Sequence, residues 1–188
     1  MHIPDGYLSP QTSGVFFAAM APIWFKASQK VKQTLKAKNV PLMALGAAFS
    51  FVIMMFNVPL PGGTTGHAVG GTLIAITLGP WAACIAVTIA LVVQAIFFGD
   101  GGILAIGANC FNMAFVLPFV GYYVYRFILS ALKSSKQGSA AAAAVGSYVG
   151  INVAALIAAI EFGIQPVLFH TAKGAALYAP YPLSVAIP

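Results

Sequence analysis

Residues 68–98 read AVGGTLIAITLGPWAACIAVTIALVVQAIFF, a long apolar run broken near its middle by Gly79-Pro80. Whether this is one helix or two decides the fold. Proline lacks a backbone N–H and crowds the preceding turn, so Gly-Pro is a strong break signal. Charge provides an independent test. Lys26, Lys30, Lys32, Lys36 and Lys38 precede the run, and Arg126, Lys133 and Lys136 follow it. Basic loops beside membrane spans mark the cytoplasmic face. If 26–38 is cytoplasmic, a span at 41–59 exits to the outside, and three further crossings return 126–136 to the cytoplasm. One helix over 68–98 leaves only two crossings; a split at Gly79-Pro80 supplies the third.

Composition places these helices in a bilayer. Of the 188 residues 60% are hydrophobic and 6% charged, and the mean hydropathy is +0.92. A soluble domain carries about 25% charged residues. The apolar runs do not alternate with polar residues, which argues against a β-barrel. The expected fold is an all-α integral membrane bundle of about six to seven transmembrane helices, forming a single domain over 1–188. Candidate spans are 12–25, 41–59, 68–79, 81–98, 108–130 and 139–162. The net charge of +6 gathers beside spans and is no nucleic-acid signal. Cys84 and Cys110 lie in apolar runs and read as buried thiols.

Residues 68–79 rise only about 18 Å as helix, against a hydrocarbon core of about 30 Å. The polar stretch from Pro61 to Gly66 is therefore expected to lead down to a helix that starts below the outer surface. Irregular backbone at that depth must be buried in protein or line water, which places His67 inside the bundle on the outer half. The same parity puts residue 1 outside. There is no Lys or Arg before the first apolar run and no clear small-residue cleavage site, so the amino terminus and Met1 are expected to be retained. Pro4 favours an extended Ile3, and Pro4-Asp5-Gly6 is a turn signal, so the first residues can fold back into the bundle.

His2 is one of three histidines. A free amine, the next backbone nitrogen and the imidazole of residue 2 form adjoining five- and six-membered chelate rings. Those are three corners of a nitrogen-rich square plane, the geometry of Ni(II) or Cu(II), and His67 is the candidate fourth. The bland readings are a frayed second residue and a core histidine bonded to a carbonyl. His170 reads as structural or interfacial. Asp100, in Phe98-Gly99-Asp100-Gly101-Gly102, is a turn aspartate or a group orienting a ligand. Glu161 needs only a polar partner or snorkelling. Asn109, Asn112 and Gln94 bond within the helices or orient an imidazole, and the methionines are packing. So few carboxylates disfavour a Ca²⁺ or Mg²⁺ cage. No GxxxxGK[ST], no HExxH and no nucleophile beside a histidine is present, so the chain is not expected to be an enzyme.

MHIPDGYLSP at 1–10, TTGHAVGGTLIAITLGPWAACIAVTIALVVQAIFFGDGG at 64–102, GANCFNMAF at 107–115 and YAPYPLSVAIP at 178–188 together resemble the NikM/CbiM substrate-binding membrane subunits of energy-coupling-factor transporters for nickel and cobalt. The resemblance implies a metal held by the Met1 amine, the His2 backbone and side-chain nitrogens and the His67 imidazole. Asp5, Asp100 and Asn109 would take supporting roles. The transported substrate would be Ni(II), with Co(II) as the alternative, and no organic cofactor. The implied partners are a transmembrane coupling protein, which Ala18 and Ala21 of the first helix could meet, and two cytoplasmic ATPase subunits. A small accessory membrane protein is a further candidate. The setting would be the cell membrane, with the amino terminus outside. Members of this kind continue into another apolar helix, so either such a helix beyond Pro188 or a natural short form is expected.

Two other readings stand beside the metal importer. One is a vitamin-binding membrane subunit of the same transporter class, its pocket lined by aromatics such as Trp81 and Tyr122. The other is a membrane enzyme, disfavoured by the missing nucleophile or acid–base pair. Metal must displace protons from the amine, the amide and the imidazoles, so affinity is expected to fall steeply toward pH 5.

Overall fold

The computed structural model describes residues 2–60, 64–132, 136–181 and 183–186. Helix α1 spans Pro10–Thr34, its start set by Ser9, whose Oγ accepts from the Thr12 N–H at 3.0 Å, and by Pro10 in the first turn. It runs beyond the expected 12–25, so Lys26, Lys30 and Lys32 lie on its last turns and not in a loop. Cations suit the negative end of a helix. Lys26 reaches the Trp81 ring at 5.3 Å, and the Trp24 indole N–H donates to Thr88 Oγ1 at 3.0 Å.

Helix α2 is Val40–Met54, shorter than the expected 41–59. Pro59 cannot continue a helix and biases Val58 to extended backbone. Instead β1 (Val58–Leu60) pairs antiparallel with β2 (Thr64–Gly66), Val58 opposite Gly66. This hairpin is absent from the helical expectation. Helix α3 then covers only Gly71–Leu78, and α4 starts at Pro80 and ends at Val93. The expected break is present: Gly79, at φ +94°, takes a backbone that L side chains rarely adopt.

Helix α4 passes into a π-helical turn, Gln94–Phe98. After a Gly-rich loop, α5 (Ile106–Asn109) enters a second π segment, Cys110–Val116, and then α6, Leu117–Ala131. The long α7, Lys136–Leu168, packs along α6. A Cβ at Gly150 would sit 2.7 Å from the Leu117 carbonyl oxygen, an approach only a small residue allows. The His170 backbone pairs with Ala176 in a short bridge, and α8 is Leu183–Ala186. Lys133 of the second basic group and Gly62-Gly63 lie outside the described residues.

Among the described residues, four helical stretches are long and apolar enough to cross a membrane: Ala37–Met54, Pro80–Phe98, Ile106–Ala131 and Lys136–Leu168. The architecture is that of an all-α membrane protein. The main core gathers Met20, Met54, Cys84, Val87, Cys110, Met113 and Leu117, so the buried methionines and both free thiols are packing groups. A second cluster, Ile3 and Leu8 against Ala105, Ala108 and Ala158, holds the amino-terminal segment.

Candidate metal centre

Residues 2–9 form a strap tied to the bundle along its length. The Ile3 N–H donates to Asn109 Oδ1 at 2.8 Å, and Asn109 Nδ2 donates back to the Ile3 carbonyl at 3.1 Å. The Gly102 N–H donates to that same carbonyl at 2.8 Å. Asp5 accepts from the Ile103 and Leu104 N–H groups at 3.1 and 2.9 Å. The Ser9 N–H donates to Gln165 Oε1 at 3.0 Å, and the Ala179 N–H donates to the Tyr7 carbonyl. Ile3 is fully buried, which contributes about 1.5–3 kcal/mol relative to leaving it in water. Gly102 lies so close to Asp5 that a Cβ there would collide with the carboxylate.

The strap delivers His2 to His67. Their rings stack with centroids 4.7 Å apart and planes 23° from parallel. His67, 5% exposed, follows β2 in the non-helical segment 67–70, which is fixed by the Ser50 hydroxyl donating to the Val69 carbonyl at 2.7 Å. His67 Nδ1 lies 3.2 Å from the Ala68 carbonyl oxygen. A proton on Nδ1 satisfies that oxygen and leaves Nε2 as a lone pair. The Nε2 atoms of both histidines and the Oε1 of Gln94 are buried with no hydrogen-bond partner among the described residues. Gln94 opens the π turn of α4, and its Nε2 donates to the Phe51 carbonyl at 3.3 Å.

Burial pushes both imidazoles down to about 4. They are therefore neutral near pH 7, the form that ligates metals. Asp100 Oδ1 lies 3.3 Å from His2 Nδ1; with the ring neutral, this contact is dipolar and not an ion pair. Among the described residues no group of three or more His, Cys, Asp or Glu side chains stands ready as a metal cage. An ion between His2 and His67 would need main-chain or terminal nitrogens to complete its set. Met1, the expected amine donor, lies outside the described residues.

The structure thus brings together His2, His67, Asp100 and Gln94. It places Asn109 and Asp5 elsewhere than against an imidazole: both hold backbone, at Ile3 and at residues 103–104. Gln165, which anchors Ser9, was not singled out from the sequence. Its signal is a polar residue one turn beyond Glu161 in an apolar helix.

Residues 2–188 match the family model described as "Cobalt uptake substrate-specific transmembrane region". The chain is 57% identical to the fused nickel transport protein NikMN of Rhodobacter capsulatus over its whole length, covering 54% of that relative. It is 38% identical to the cobalt transport protein CbiM of Acetohalobium arabaticum over 68% of its length, covering 52% of that protein. The chain thus spans about half the length of these curated relatives. Its fold matches a crystal structure of a truncated transition metal transporter with a TM-score of 0.95, at 62% identity, covering all of this chain and 86% of that one. On the strength of the nearly full-length match, the chain belongs to the family of cobalt uptake substrate-specific transmembrane regions.

Proposed function

We propose that this chain is the substrate-binding membrane component of an ATP-driven metal importer of the energy-coupling-factor class, taking Ni(II), or Co(II), from the outer side. One observation carries the reading: two buried imidazoles stacked 4.7 Å apart, with His67 Nε2 left without a partner among the described residues. Buried polar atoms are rarely left unpaired; a divalent cation is a ligand that would use His67 Nε2, while His2 would offer it Nδ1 and leave Nε2 to Gln94. The amine of Met1, the amide and Nδ1 of His2 and Nε2 of His67 make a square-planar nitrogen set, which suits Ni(II). Chelation through Nδ1 sets the metal beside the Asp100 carboxylate, whose charge offsets the cation. Gln94 Oε1 is the acceptor placed to fix the His2 tautomer.

The relatives' names, nickel in one and cobalt in the other, support the substrate class and leave both metals in play. In this reading the bundle is one domain with six or seven spans in the cell membrane and its amino terminus outside. No organic cofactor takes part. A transmembrane coupling protein and two cytoplasmic ATPase subunits drive release, with a small accessory membrane protein as a further partner.

The test is calorimetry of Ni²⁺ and Co²⁺ on the purified full chain, beside a variant with alanine inserted between Met1 and His2. Tight one-to-one binding that disappears on insertion is the expected result. Binding that survives the insertion sinks the amino-terminal chelate. Absence of metal binding in both proteins returns the vitamin-binding reading to first place.

A further inference from the structure

The strap has a second buried polar centre beneath it, which the metal reading does not use. Glu161, the sequence's one glutamate, and Asn112 are each 3% exposed inside the bundle. Asn112 Nδ2 donates to Glu161 Oε2 at 2.9 Å. The other oxygen of each group, Glu161 Oε1 and Asn112 Oδ1, is buried without a partner. Both are acceptors when the carboxyl is ionised, so neither can satisfy the other.

A single proton on Oε1 resolves both vacancies. Such an O–H would donate to Asn112 Oδ1 beside the observed bond from Asn112 Nδ2 to Oε2, giving an eight-membered acid–amide pair. An unpaired carboxylate at this depth is expensive, and among the described residues no cation pairs with Glu161. On the elements packed against α7, the titratable and charged groups are Cys110, Tyr122, Tyr123, Tyr125 and Arg126, with Tyr7 on the strap. Among the described residues none of them hydrogen-bonds or ion-pairs with Glu161. Arg126 donates to Tyr122, Tyr125 shares a hydrogen bond with Ser139, and Tyr7 meets Phe162 only through its ring.

We propose that Glu161 and Asn112 form a proton-binding site, whose proton ties α7 to the π segment Cys110–Val116 and keeps the strap closed at its Ser9 end. The connection runs through named bonds. Gln165, one turn beyond Glu161, donates to the Glu161 carbonyl at 3.0 Å and accepts from the Ser9 N–H. Asn109, one turn before Asn112, holds Ile3. The acid–amide pair thus joins the two helices that clamp the strap at its two ends. The proton comes from water and leaves to water, with no other bond made or broken.

Because the chain has a single glutamate, carboxyl-labelled [¹³C]glutamate reports this site without mutation. In metal-free protein reconstituted in vesicles near neutral pH, the infrared spectrum should show a protonated carboxylic acid that shifts in heavy water. An ionised label overturns the proposal, and so does a protonated signal that appears only when Na⁺ is withheld, which would assign the site to a cation. Glu161→Gln keeps both bonds of the pair, since its amide N–H replaces the acid O–H. Amide exchange of the strap should therefore stay within about threefold of wild type, whereas Asn112→Leu should lose protection by about tenfold, the scale of one buried hydrogen bond. Strap opening in Glu161→Gln equal to that in Asn112→Leu refutes the neutral acid. None of these readouts requires metal, so they stand apart from the metal-site test.

Discussion

Replacing Asn109 by alanine tests whether the strap, and not His67 alone, builds the centre. The side chain makes two buried hydrogen bonds to one residue, accepting from the Ile3 N–H and donating to the Ile3 carbonyl. The carbonyl keeps the Gly102 N–H after truncation, but the Ile3 N–H is left buried with nothing to bond. A typical bond contributes about 0.5–1.5 kcal/mol net, and an orphaned buried donor costs about 1–3 kcal/mol. The strap should therefore lose about 2–4 kcal/mol of docking free energy. If docking is what brings His2 to His67, apparent metal affinity falls with the docked fraction. At about 1.4 kcal/mol per tenfold, the ceiling is a weakening of about 30- to 1,000-fold. Calorimetry gives the affinity, and amide exchange of the strap gives its opening in the metal-free protein. Asn109→Asp keeps the acceptor and loses only the donor, so it should fall between alanine and wild type. Wild-type affinity together with wild-type exchange in Asn109→Ala would refute the clamp. Faster exchange with unchanged affinity would keep the clamp and deny that it limits binding.

Two further predictions concern acid and the Gly-rich loop. The His2 imidazole sits at about 4 when docked and near 6.5 when released into water. The released strap therefore binds more protons between those values. Docking should be insensitive to pH above about 6.5 and weaken as pH falls from there toward 4, with a limiting slope of about 1.4 kcal/mol per unit for the one imidazole released. Metal affinity between pH 7 and 8 must then take its pH dependence from the amine and amide, because both rings are already neutral. Strap protection factors, corrected for intrinsic exchange, that stay level from pH 7 to pH 5 would overturn this. Gly102→Ala forces a Cβ into the Asp5 carboxylate and should break the Asp5 bonds to the Ile103 and Leu104 N–H groups. With Asp5 exposed, the loss is about 1–2 kcal/mol of docking. Asp5→Asn, which retains one carbonyl acceptor, should cost less, and an equal or greater cost would show that the collision is not what opens the strap.

Several features were legible because their signals are local. The break at Gly79-Pro80 follows from the chemistry of two adjacent residues, and φ +94° at Gly79 answers it. The scarcity of charge along the chain specifies apolar helices whatever their arrangement. His2 stood out through its position in the chain, which makes a chelate conceivable before any fold is known. Local signals fail where a long-range contact decides. Helix α1 takes in three lysines because continuing the helix leaves each of them a route out of the apolar core. Asn109 reads from sequence as bonding within the helices or orienting an imidazole, and Asp5 as a supporting residue; in the fold both hold backbone. Their partners lie 106 and 98–99 residues away, and an extended strap has no periodicity from which such pairings can be read.

By itself, then, the sequence determined the membrane setting, the helical class, the split helix and the two histidines worth bringing together, all from composition and short-range stereochemistry. Only the tertiary structure decided that the rings stack at 4.7 Å, that Asp100 and Gln94 are the polar groups beside them, and that Glu161 meets Asn112. The reason is that a buried polar atom is committed by whichever partner the packing of distant segments brings within about 3 Å, and hydropathy along the chain carries no record of that meeting.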